Sequence, residues 1–131
     1  MTDKIFAYCE RGADPTFWAE PLNAASNAAF IAAGLAGLWL SRGGAERRPS
    51  AAGVALSLLV LGIGSGSFLF HTFAERWSAL ADTIPIGVFM LAYLGLALRR
   101  LLGLSWGFTA VGLSAFVGLI AAGMSVRCDG G

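Results

Sequence analysis

Residues 64–85, GSGSFLFHTFAERWSALADTIP, hold side chains of the types that activate a water. The only histidine, His71, lies four residues after Ser67 and eleven before Asp82, in an otherwise apolar stretch. On a helix, Ser67 and His71 stand one turn apart on one face. Asp82 then opens the next apolar segment after a short turn, so polar groups gather at one end of two neighbouring helices. Ionisable residues at such depth are costly and mark function. Each also has a plainer reading. His71 is either a buried neutral imidazole bonded to a neighbour or a metal ligand, imidazole being the commonest nitrogen donor to metals. Ser67 either satisfies a helix carbonyl or contributes its hydroxyl to a reaction. Asp82 is either a helix N-cap with Thr83 beside it or a carboxylate that accepts a proton from a water acidified by a metal. One histidine alone does not complete a zinc site, which needs about three protein ligands and an open position.

Ahead of the first apolar run, YCERGADPTFWAEPLNAASN carries Glu10, Asp14 and Glu20. These are either a solvated acidic lead-in or oxygen donors for calcium. Asn23, Ser26 and Asn27 follow at i, i+3 and i+4, a polar stripe expected to face the interior of a helix bundle. Cys9 and Cys128 fall on one predicted side of the membrane, where they either pair or stay free.

The elements that must position these residues follow from composition. Hydrophobic residues make up 56% and charged ones 13% of 131, and mean hydropathy is +0.70, which excludes an ordinary soluble domain. A net charge of +1 leaves no nucleic-acid footprint. The first residues have no apolar core or cleavage site of a signal peptide. Apolar runs at about 21–40, 52–73, 80–98 and 104–124 are each long enough to cross a bilayer, and in lipid such runs must be helical. Short connections make consecutive helices antiparallel. The expected fold is therefore all-α integral membrane, a single domain over 1–131 with four antiparallel transmembrane helices. Pro85 is expected near the start of the third, where proline costs little. Arg42, Arg47 and Arg48 in the first loop and Arg99 and Arg100 in the third cluster on one side, while Lys4, Arg11, Arg76 and Arg127 are dispersed on the other. The clustered side is expected to be cytoplasmic and the N terminus exoplasmic, as in a multi-pass protein of a bacterial inner membrane. Whatever the orientation, antiparallel helices bring Glu10, Asp14, Glu20, Ser67, His71 and Asp82 to one side.

At these residues the chain resembles the alkaline ceramidase family, within the membrane hydrolases that include adiponectin-receptor-like proteins. One block is Tyr8-Cys9-Glu10 followed by Glu20, Asn23, Ser26 and Asn27; the other is Ser67 and His71 with Asp82 and Pro85. Together they span about 1–90. The resemblance implies a seven-helix fold of which this chain matches the first part, and a zinc-dependent amidohydrolase that cleaves a ceramide-like lipid to a sphingoid base and a fatty acid. It implies His71 as a zinc ligand, Ser67 as a holder of the attacking water or the developing oxyanion, and Asp82 as proton shuttle. It also implies calcium on Glu10, Glu20 and the backbone carbonyl of Tyr8. The chain departs from the family in three places. The family's aspartate before the aromatic-Cys-Glu unit is Ala7 here, its next asparagine falls at Gly12, Asp14 stands as a substitute, and no histidine pair follows His71. The expected partners are a membrane lipid as substrate and, for the missing ligands, further C-terminal helices or a second copy in a homo-oligomer. The alternative is a non-catalytic membrane packing or interaction protein that keeps the family's residues for structure, or a truncated member without a complete zinc site.

Overall fold

An apolar run longer than the bilayer core is thick finds no hydrogen-bond partner in lipid and closes its own backbone bonds as a helix. The computed structural model describes residues 4–6, 9–43 and 48–128, with side chains as far as Gly123. Helices α1 (Pro21–Ser26), α2 (Ala28–Ser41), α3 (Ala51–Phe73), α4 (Arg76–Arg100) and α5 (Trp106–Cys128) make up its regular structure. Four stretches are long and apolar enough to cross a membrane: Pro21–Ser41, Ala51–Phe73, Arg76–Arg100 and Trp106–Gly123. The protein is an all-helical chain of the multi-pass membrane type. Most large apolar side chains, Leu22, Trp39, Leu101 and Leu119 among them, are exposed, as lipid-facing surface requires.

The first span is interrupted at Asn27. Its side-chain Nδ2 donates to the Asn23 carbonyl one turn back, 2.9 Å, and such local bonds compete with the helix ladder. Only part of the expected stripe faces inward: Asn27 is buried, whereas Ser26 is exposed and bonds its own helix at the Asn23 carbonyl. Helix α3 starts on Ser50, whose Oγ accepts from the Gly53 amide, and ends at Ala74 in the left-handed region, φ 51°. Of its buried residues, Ser57, Gly64 and His71 recur every seven positions and form one stripe.

Helix α4 begins at Arg76, earlier than expected, because Ser78 Oγ accepts from the Glu75 amide and closes the first turn. Asp82 is consequently inside the helix and is not its N-cap, and Pro85 is interior too. Proline cannot donate to the carbonyl four residues back, so the Ala81 carbonyl lacks its helical partner. Gly66 of α3 packs there: a Cβ on Gly66 would overlap the Ala81 carbonyl and lie 3.0 Å from the Asp82 amide nitrogen. Gly62 faces Pro85 with more room: a Cβ on Gly62 would lie 3.6 Å from the Pro85 Cβ, an ordinary contact. Small residues also seat α2 on α3, at Gly34 against Leu61 and Gly64 against Phe30.

The chain divides into two compact units, Met1–Phe89 and Met90–Gly131. The second contains the later part of α4 and α5, where Gly112 lies against Leu98 and Gly95 against Leu113. Its connecting turn is held by Arg99, which donates to the Leu104 carbonyl and lies 4.4 Å from the Trp106 ring centroid.

Candidate functional site

The last carbonyls of a helix have no partner within it. At the end of α3 they are met by the N-terminal segment. Lys4 Nζ donates to the Phe73 carbonyl at 2.6 Å, and the Ile5 amide donates to the Ala74 carbonyl at 2.7 Å. Arg11 Nη2 donates to the carbonyls of His71, 2.8 Å, and Thr72, 3.3 Å. Two cationic side chains on a helix C-terminus also complement its dipole.

Arg11 reaches this position because the chain curls at Gly12, φ +55°, and closes with an Asp14 amide to Arg11 carbonyl bond of 3.0 Å. Its Nη1 donates to the carbonyls of Thr16, 2.9 Å, and Asp14, 3.3 Å. Its Nε donates to Glu20 Oε1 at 2.5 Å, with side-chain exposures of only 0% and 2%. The other oxygen of Glu20 lies 2.6 Å from His71 Nδ1 and accepts a longer bond from Asn23 Nδ2. Burial pushes the Glu20 carboxyl upward, but the hydrogen bonds from His71 and Arg11 outweigh it and hold its pKa below the ordinary value. Exposed Asp14 is also lowered, chiefly by the Thr16 amide.

Glu10 does something different. Its two oxygens accept from the Leu22 and Asn23 amides at 2.7 and 3.0 Å, so it caps the start of α1 from outside the helix. Neither Glu10 nor Glu20 is presented to an open cation site, and Tyr8 lies outside the described residues. Both described carboxylates of the expected calcium set are instead engaged by donors of the protein itself.

Ser67 is half-buried one turn before His71, which is buried. The Asp82 amide packs beside Gly66, the neighbour of Ser67. Among the described residues, Asp82 Oδ1 is a buried side-chain oxygen with no hydrogen-bond partner. Such an orphan calls for a water, an ion or a reacting group. The structure thus brings the Asp82 backbone against Gly66 of α3, and the His71 ring against Glu20.

No family model, curated protein or solved structure matches this chain.

The site therefore rests on its own geometry. With His71 Nδ1 facing Glu20, a carboxylate stands behind the imidazole, the arrangement that orients metal-ligating histidines. Among the described residues no group of three or more His, Cys, Asp or Glu stands ready to hold an ion. An open apolar groove of about 640 Å³ runs between the first span and α3, lined by Ala24, Ala28, Ile31, Gly64 and Phe68. Cys9 is an exposed free thiol, and the side chain of Cys128 is outside the described residues. Sequence reasoning missed Arg11, which it counted only as a dispersed charge. An arginine among three carboxylates just before a membrane span was the available signal.

Proposed function

We propose that the chain is the His71-bearing part of a zinc-dependent membrane amidohydrolase of alkaline ceramidase type, acting on a ceramide-like lipid. The observation that carries this reading is the orphaned Asp82 Oδ1 within an apolar span, since an unpaired buried carboxylate oxygen is expensive unless it has work to do. Asp82 accepts a proton from a water that attacks the amide carbonyl carbon and returns it to the nitrogen as the C–N bond breaks. Ser67, one turn from His71, donates to the oxyanion that forms on the carbonyl oxygen. Glu20 holds the His71 ring in one tautomer. A bound zinc would supply Lewis acidity to the carbonyl and lower the pKa of a nearby water. Zinc held there would need further ligands beside His71. The groove beside α3 suits an acyl chain. Antiparallel helices are supported by the pairs Gly34–Leu61 and Phe30–Gly64 between α2 and α3, and by Gly62–Pro85 and Gly66–Ala81 between α3 and α4.

The test measures zinc content and hydrolysis of a fluorescent ceramide, with any further helices that the gene encodes. Asp82→Asn is expected to lower hydrolysis at least about 10²-fold while zinc content holds; His71→Ala is expected to lose both. Wild-type turnover in Asp82→Asn would end the reading. The 131-residue chain alone is expected to hold zinc weakly, because tight sites use three or four placed donors. Near-stoichiometric zinc that His71→Ala removes would instead show a complete site within it.

A second reading, a non-catalytic packing or interaction protein, is favoured by the Arg11–Glu20–His71 network itself, which gives His71 a structural partner. On that reading His71→Ala lowers thermal stability and changes no metal content.

A further inference from the structure

The Arg11 guanidinium has five N–H donors. It faces five oxygens: Glu20 Oε1 at Nε, the Asp14 and Thr16 carbonyls at Nη1, and the His71 and Thr72 carbonyls at Nη2. One carboxylate and four carbonyls, drawn from the N-terminal segment and the end of α3, form a cage, buried on the Glu20, His71 and Thr72 side and part-buried at Asp14 and Thr16, with the composition that hard cations use. Removing the cation would leave a buried negative charge and four carbonyls facing one another.

We propose that Arg11 is a built-in cation that fills this cage, so that the N-terminal segment closes on the end of α3 without a bound metal ion, and that vacating the cage creates a divalent-cation site. The charge balance agrees. Glu20 answers the single positive charge of Arg11, and the carbonyls satisfy the remaining N–H groups without further charge. A calcium ion in the same place would have to displace a guanidinium that makes all five contacts. The inference is independent of the hydrolase reading, because it concerns the closure of the segment and not turnover.

The test uses the full chain in detergent and follows thermal unfolding and terbium luminescence sensitised by the native tryptophans. Wild type is expected to show no shift with calcium or chelator and no saturable terbium signal. Arg11→Ala is expected to lose thermal stability and to regain several degrees with calcium, or with low guanidinium as a direct replacement for the missing group. Adding Glu20→Gln to Arg11→Ala removes the calcium response. Two results overturn the proposal: saturable calcium stabilisation of wild type that Glu20→Gln abolishes, or an Arg11→Ala chain, folded or not, that calcium does not stabilise.

Discussion

A carboxylate shared between a guanidinium and an imidazole is a poor place for substitution, because each partner then loses its compensation. Arg11 and Glu20 are almost wholly withdrawn from solvent, and removing one member of a buried pair leaves the other charge unanswered. Glu20→Gln is expected to lower stability by about 3 kcal/mol, read from unfolding in detergent, while Asp14→Asn, at an exposed residue, is expected to change little. Equal effects from the two would mean that burial is not what makes Glu20 matter. That Ser67 and His71 stand one turn apart on one helix was legible from their spacing. The partner of His71 was not. Glu20 is 51 residues away and Arg11 is 60 residues from the His71 carbonyl, separations that no local periodicity spans.

The elements meet through glycines whose missing side chains admit a neighbour's backbone, and that pattern separates two kinds of substitution. At Gly66 a methyl group would strike the Ala81 carbonyl, which Pro85 leaves without its helical donor. Backbone cannot yield as a flexible side chain does, so Gly66→Ala is expected to cost about 2 kcal/mol and to disturb the position of Asp82. Gly87, on the same α4, has open space where a methyl group would stand; Gly87→Ala is expected to be neutral or to stabilise by roughly 0.5–1 kcal/mol. Unfolding midpoints of the two variants decide the matter, and similar losses at both would refute close α3–α4 packing at Gly66. The cap from Glu10 makes a third case. Glu10→Ala is expected to cost about 1 kcal/mol, because the Leu22 and Asn23 amides lose a shared acceptor. The spans themselves were legible because hydrophobic length determines them. The start of α4 was not, since it depends on a Ser78–Glu75 bond rather than on hydropathy.

At the scale of the whole molecule, the membrane sees four apolar spans and two kinds of connection. Arg42, Arg47 and Arg48 follow the first span, and Arg99 and Arg100 end the third. Clustered arginines resist transfer, so these connections are expected to stay in the cytoplasm and the N-terminal segment to be exported. The contacts of Lys4, Ile5 and Arg11 with the end of α3 put that segment and the His71 end of α3 on one side. Single cysteines in place of Arg48 and Arg76, both exposed, test this in a chain whose Cys9 and Cys128 have been changed to serine. An impermeant maleimide added to intact cells is expected to label residue 76 and to reach residue 48 only after permeabilisation. The opposite result would reverse the orientation, yet Glu20 and His71 would remain together, because their 2.6 Å contact does not depend on which compartment they face. Labelling of both residues in intact cells would contradict more than the orientation. Residues 48 and 76 flank α3, so common exposure would mean that α3 does not cross, and the buried face that carries His71 would need another explanation.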